Sequence, residues 1–347
     1  MTFYSSFLRQ LLFRVDAETA HQFALSCLSH HRILALMARS IFGVSPQGPK
    51  ASWFGLQFRN PVGLAAGMDK NGVALASWEK LGFGFVEIGT VTAYPQAGNP
   101  RPRLFRFPRL KAFVNRMGCN NEGARCIAMR MERLRCSGNW PSIPLGINIG
   151  KSQLTALHLA HNDYLQSFQY LYPYADYFVL NVSSPNTLGL RALQKIEHLA
   201  KIIGALRDWE GSYTKPILIK IDPDLSSKDV ISIVELAERE HISGLVATNT
   251  TLDHSAIPTE HDETGGLSGG PLLDRSNAII QRIRKISHLP IIGSGGVLSA
   301  KDAFSKFSAG ANLIQIYTGF IYRGPVLIQE ICKLLAALPY DSAGVGS

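Results

Sequence analysis

The chain has 347 residues, 46% of them apolar, which is ample for a large core and long for one ordinary domain outside the α/β barrels. Five cysteines (Cys27, Cys119, Cys126, Cys136 and Cys332) without C-x-x-C spacing point away from zinc and iron–sulfur sites, and an odd set of thiols fits a reducing compartment. The formal charge of +9 is concentrated: residues 100–135 carry ten Lys/Arg against two Asp/Glu, and residues 1–50 carry five against two. Such a window is more often a solvated face than a site, but it keeps anionic small molecules, anionic lipid and RNA open as partners.

Residues 1–45 are predicted to form a helical extension. Phe3, Tyr4, Phe7, Leu8, Leu11 and Leu12 recur at i, i+3, i+4 spacing, and Asp16 can cap a second helix carrying Ala20, Phe23, Ala24 and Cys27. These stripes are too short to span a bilayer, and Arg9, Arg14, Arg32 and Arg39 accompany them, as in helices that lie in a membrane interface. Neither a signal peptide nor a transit segment is recognisable, so a mature, cytoplasm-facing chain is expected.

From Val62 a pattern repeats: a short apolar run, a loop rich in Gly, Asn or Thr, then a helical stretch. The runs are 62–67, 85–90, 144–150, 177–183, 216–221, 244–249, 290–296 and 312–317. They are near-continuously apolar, as parallel strands covered on both faces should be. Eight repeats over residues 46–340 predict a (β/α)8 TIM barrel, with the active site at the C-terminal ends of the strands. A doubly wound sheet is the alternative, and it lacks its G-x-G-x-x-G turn. Residues 95–116 are too long for an ordinary loop and are predicted to form an excursion over the barrel mouth.

Polar groups collect at the strand ends: Lys70, Thr90, Asn148, Asn181, Lys220, then Thr248, Asn249 and Thr250. Each alone reads as a satisfied loop residue; together they point to a bound polar ligand, because such groups are costly at the ends of buried strands unless paired. Glycine-rich stretches at 293–296 and 317–320 sit where many barrels hold phosphate. The run "LNVSSPNT" (180–187) ends a buried strand in two serines with no histidine or carboxylate beside them, and it is not a hydrolase elbow. No histidine shows metal-ligand spacing, including His30, His31, His158, His161 and His198.

The ordered stretches "LAAGMDKNG", "EIGTVT", "NRMGCNN", "GINIGK", "NVSSPNTLGLR", "KIDPDLS", "ATNTT", "GGLSGGPL", "GSGGV" and "IQIYTGFIYRGP" resemble the successive signatures of dihydroorotate dehydrogenases, most closely the membrane-associated, quinone-reducing class. "DAETAHQFA" resembles the helical extension of that class. The resemblance implies oxidation of dihydroorotate to orotate in pyrimidine biosynthesis, with one non-covalent FMN per chain and a quinone as acceptor. It further implies no metal, no nucleic acid, a monomer, and a peripheral place on the cytoplasmic face of the bacterial inner membrane. It makes Ser184 the base, with Ser183 turned elsewhere. It places Lys70, Asn115, Arg116, Met117, Gly118, Cys119, Asn181, Asn186, Asn249 and Thr250 around the substrate. Around FMN it places Ala66, Gly67, Met68, Asp69, Lys70, Thr90, Asn148, Asn181, Lys220, Thr248, Gly269, Gly296, Tyr317 and Thr318. Cys119 departs from the family, which usually has an aromatic residue there, and the smaller thiol implies a looser lid over the serine. An RNA-acting FMN barrel of the tRNA dihydrouridine synthase type is the alternative that the basic window supports; it would want an aromatic-rich RNA surface.

Overall fold

The structure is a computed structural model that describes residues 4–30, 48–187, 189–211 and 214–337. Eight parallel strands close on themselves: β1 (Val62–Leu64), β2 (Phe85–Val91), β3 (Leu145–Ile149), β4 (Tyr177–Asn181), β5 (Ile217–Ile221), β6 (Gly244–Ala247), β7 (Ile291–Ser294) and β8 (Leu313–Ile316). Each pairs with the next and β8 pairs with β1, so no edge is left and the doubly wound alternative falls. All eight expected runs are barrel strands.

Alternation along each strand sorts its side chains between two cores. In β5, Ile217, Ile219 and Ile221 join the large outer cluster under the helices, while Leu218 joins a smaller one with Phe85, Tyr177, Val179, Val246, Ile292 and Leu313. That smaller cluster fills the lower barrel. Its bulk demands glycine opposite: a Cβ on Gly63 would meet the Phe85 ring at 2.2 Å, and one on Gly146 the Tyr177 ring at 2.2 Å. A hairpin of Ala51–Trp53 and Leu56–Phe58 plugs the N-terminal end, with Phe58 edge-on to Phe85. One step further up the strands the inward positions turn polar: Glu87, Asn148, Asn181, Lys220 and Gln315, all buried.

The outer helices follow the sequence pattern. Ser227–Arg239 starts where the Ser226 hydroxyl accepts the Asp229 N–H, and it buries Val230, Ile233, Val234 and Ala237 on one stripe. In the extension, Arg9–Leu12 continues a wider, π-helical turn at Tyr4–Leu8, and Ala17–Ser29 is capped by Asp16, whose carboxylate accepts the Thr19 N–H at 2.9 Å. Residues 31–47, which include His31, Arg32 and Arg39, lie outside the described residues.

The excursion is a sheet. Leu104–Phe107 and Ala112–Asn115 pair antiparallel, and Gly266–Gly269, from a distant loop, adds a third strand. The excursion is pinned to the extension by charge. Arg103 donates twice to buried Glu18 (2.7 and 3.0 Å), Arg101 adds a third bond, and Arg106 caps the carbonyls of Leu12, Phe13 and Val15. Much of the basic window is thereby accounted for: Arg116 pairs with Glu263, Arg130 with Glu122, and Arg135 stacks on Trp140. These arginines staple the fold together rather than forming an outward patch.

Candidate active site

A polar cavity of about 150 Å³ opens at the C-terminal ends of the strands, under the excursion sheet. Its floor is a buried hydrogen-bond chain. Asn249 Nδ2 donates to Asn181 Oδ1 (3.3 Å), Asn181 Nδ2 to Thr90 Oγ1 (2.7 Å), Thr90 to Asn148 Oδ1 (2.6 Å), and Asn148 Nδ2 to Glu87 Oε1 (2.9 Å). Gln315 donates to the other oxygen of Glu87. Lys220 Nζ lies 4.0 Å from Glu87, so the charge buried in the barrel is balanced across two strands. A buried pair of this kind survives only when its remaining groups are satisfied.

Lys220 itself is not fully satisfied. Burial pulls its pKa down, Glu87 only partly opposes this, and no described residue accepts a hydrogen bond from its ammonium. The hydroxyl of Thr250 also lacks a partner. The N–H groups of Gly296 and Val297, just past β7, likewise find no acceptor among the described residues. One cation and three donors therefore wait around the same space. Lys70, on the opposite wall, is pulled down to about 8, mainly by burial, and donates to Asn120.

Ser184 is buried on the cavity wall, its Oγ meeting, among the described residues, only the Asn186 N–H, at 3.3 Å. Ser183 takes no part in the lining: its hydroxyl accepts from Asn249 at 3.0 Å. Asn186 is oriented by Nδ2 donating to Asn115 Oδ1 (3.0 Å) and by its carbonyl accepting from Asn99. Cys119 is buried on the wall, and the Thr187 hydroxyl lies 3.6 Å from its sulfur.

Of the residues expected at the site, all but four line this cavity. Asn148 lies beneath, in the floor. Asp69 is turned away, accepting from Val73 N, Ala74 N and Trp78 Nε1 as a helix anchor. Arg116 points to Glu263 with its guanidinium over Phe105. Met68 faces a second cavity. Glu87 and Gln315 had drawn no attention in the sequence, one acidic and one amide residue inside apolar runs; nor had Ser268 and Ser294, which also line the site.

The second cavity, about 250 Å³, is apolar and lies between the extension and the barrel, lined by Leu8, Leu12, Ala20, Ala24, Leu28 and Phe320 among others. Its polar side chains are few, chiefly His21 and Arg106. Burial pushes His21 down to about 4, reinforced by Lys70 and opposed by Glu18, so the ring is neutral at physiological pH. Tyr317 lines both cavities and is the wall between them. Burial pushes its hydroxyl up to about 12, so it stays protonated.

A closed parallel barrel whose polar cavity lies at the C-terminal strand ends is the architecture of a barrel enzyme. Residues 50–338 match the family model described as dihydroorotate dehydrogenase. The dihydroorotate dehydrogenase (quinone) of Gloeobacter violaceus is 48% identical over 94% of this chain and 92% of its own length. That of a Synechococcus species is 45% identical over 100% and 99%. A crystal structure of DHODH from Eimeria tenella in complex with ferulenol superposes with a TM-score of 0.80 at 34% identity, covering 91% of this chain and 89% of that one. The chain belongs to the dihydroorotate dehydrogenase family.

Proposed function

We propose that Ser184 is the base with which this quinone-dependent dihydroorotate dehydrogenase takes the C5 proton of dihydroorotate while hydride leaves C6. The observation that carries the reading is the pairing of a buried serine with an unsatisfied buried cation, Lys220, across one polar cavity. FMN, one per chain and not covalently held, supplies the two-electron acceptor when bound. The unmet donors fit it. Lys220 suits its electron-rich ring edge, the amides of Gly296 and Val297 suit its phosphate, and Ala66, Gly67, Thr90, Thr248, Gly269, Tyr317 and Thr318 would enclose it.

Serine is a weak base in water, so its surroundings must do part of the work. Burial of Ser184 excludes water, and the Thr187 hydroxyl would relay the proton that Ser184 gives up, releasing its own toward solvent as it accepts. Departure of hydride makes the C5 proton more acidic, which lessens the demand further. Lys70, Asn115, Asn181, Asn186, Asn249 and Thr250 would hold the substrate's carboxylate and amide edges, each amide offering a donor and an acceptor.

The apolar cavity suits the ring and first part of the tail of a quinone, with His21 and Arg106 as polar partners for its oxygens. Residues 1–45 would then be the quinone-entry extension and 46–340 the catalytic barrel. Phe7, Leu11, Val15 and Phe23 are exposed on the extension beside basic Arg9 and Arg14, which supports docking on the membrane face as a peripheral protein. No helix among the described residues is long and apolar enough to cross a membrane. The test is anaerobic: dihydroorotate should bleach the protein's flavin and a quinone restore it, while NADH and RNA do neither. A protein that holds FMN but keeps its colour with dihydroorotate would overturn the reading.

A further inference from the structure

The segment carrying Ser184 is anchored from behind. After Ser184–Thr187 the chain enters a short 3-10 turn, Leu190–Gln194, with Leu190 and Leu193 buried beneath it. Arg191 leaves this turn toward two other strand-end loops. Its Nε lies 2.6 Å from Asp222 Oδ2, an ion-pair contact rather than an aligned hydrogen bond. Its Nη2 lies 3.4 Å from Asp224 Oδ2 and 3.5 Å from the carbonyl oxygen of Thr250. Gln194 adds a parallel tie, its Oε1 accepting the Asp222 N–H at 3.2 Å.

We infer that Arg191 is a positioning residue for the reaction: it fixes the Ser184 segment that follows β4 against the loops that follow β5 and β6. The inference rests on the reading of Ser184 as base. Among the described residues Ser184 has only one 3.3 Å contact of its own, so its place is set by the segment that bears it. The far side of the junction is rigid. Asp224 also accepts from Thr251 Oγ1, Leu252 N–H and Arg275 Nη1, and Arg275 reaches Asp253 as well. A guanidinium suits this place because its rigid planar fork meets two carboxylates in a fixed geometry, which the flexible point charge of a lysine does not impose. Small displacements of a reacting group made from a distance can cost about 10²-fold in rate.

Asp222 argues that the tie serves catalysis rather than stability. Its carboxyl is buried, and burial pushes its pKa up to about 6 against the pull of the Asp224 N–H and Arg191. A carboxyl raised in the folded state favours folding when protonated, and that contribution is lost as pH rises from 3.8 through about 6. At higher pH the charge is therefore kept at some cost in stability. As pH falls below about 6 the carboxyl protonates, the ion pair with Arg191 is lost, and only Asp224 and the Thr250 carbonyl still hold the guanidinium.

The test measures anaerobic flavin reduction by dihydroorotate in flavin-loaded Arg191→Ala, Arg191→Lys, Asp222→Asn and Ser184→Ala, across the pH range. Arg191→Ala should reduce its flavin about 10- to 100-fold more slowly, with flavin retained, and Arg191→Lys should recover only part of the loss. The wild type should lose rate below about pH 6, and Asp222→Asn should be slower throughout, lack that limb, and melt no lower than wild type near pH 8. The inference is overturned if Ser184→Ala is slow while Arg191→Ala and Asp222→Asn keep wild-type rates and pH profiles. It is overturned equally if Asp222→Asn keeps the acid limb, a result that decides the matter even where Arg191→Ala does not fold. A normal rate in Ser184→Ala would instead remove the base reading beneath it.

Discussion

The two cavities that meet at Tyr317 are built on opposite plans. The polar one is made of strand ends from all round the barrel, its floor fixed by a chain of hydrogen bonds that ends on a buried charge pair. The apolar one is made of a helix pair laid on the barrel's flank, held by Glu18, Arg103 and Arg106 at one side and by Ser77, whose hydroxyl donates to the Leu28 carbonyl, at the other. Proton abstraction needs groups fixed to within a fraction of an ångström. Admitting a long apolar molecule needs only a dry slot with an entrance. On the proposed reading one fold meets both demands, giving the first to the closed sheet and the second to a slot under the appendage, and the two linings share one residue, Tyr317.

The sharpest way to break this comparison is at Ser184. Ser184→Ala should fold, bind FMN and orotate, and reduce its flavin with dihydroorotate roughly 10²–10⁴-fold more slowly, the usual worth of a general base. Filling the other cavity should do the converse. Ala24→Trp places a large ring in the slot and should slow reoxidation by a long-chain quinone by about 10-fold or more, while flavin reduction stays at the wild-type rate. Rapid-mixing spectra at the flavin absorbance separate the two.

Glu18→Gln tests how the appendage is held. Its carboxylate is buried against Arg103, and although burial alone would raise its pKa, Arg103 and Arg101 hold it below the usual carboxylate range. Removing one charge of such a pair typically costs about 3–5 kcal/mol of stability, because the other is left uncompensated. Thermal melts should show a lower Tm, and quinone turnover should fall more than flavin reduction. The smallest effect is expected at Cys119→Phe. A ring beside Thr187 should shield Ser184 better than the thiol does, leaving flavin reduction unchanged or about 2- to 3-fold faster. A large loss of rate there would mean that the thiol itself takes part.

Part of the polar cavity was legible in the chain because several of its residues end an apolar run, where a polar group stands out against its neighbours. Lys220, Asn181 and Thr248 are of this kind, whereas Asn115, Met117, Gly118 and Asn186 were reached only through the family resemblance. Glu87 was not legible: it stands inside a run, and its partners Asn148, Lys220 and Gln315 come together only when the barrel closes. His21 and Arg106 were missed for a different reason. One lies on a short amphipathic helix and the other in a basic window, and only the docking of the helix onto the excursion sheet brings them to one apolar slot. The third strand of that sheet, Gly266–Gly269, also depends on contacts between residues about 150 positions apart in sequence, which local pattern does not carry.

If the two half-reactions run in separate cavities joined through the flavin, one preparation of Ser184→Ala separates them: it is reduced chemically with dithionite, freed of excess reductant and mixed anaerobically with quinone. Reoxidation should then proceed at the wild-type rate in an enzyme that dihydroorotate can hardly reduce. Reoxidation slowed in proportion to reduction would mean that Ser184 serves both steps, and the division at Tyr317 would fall.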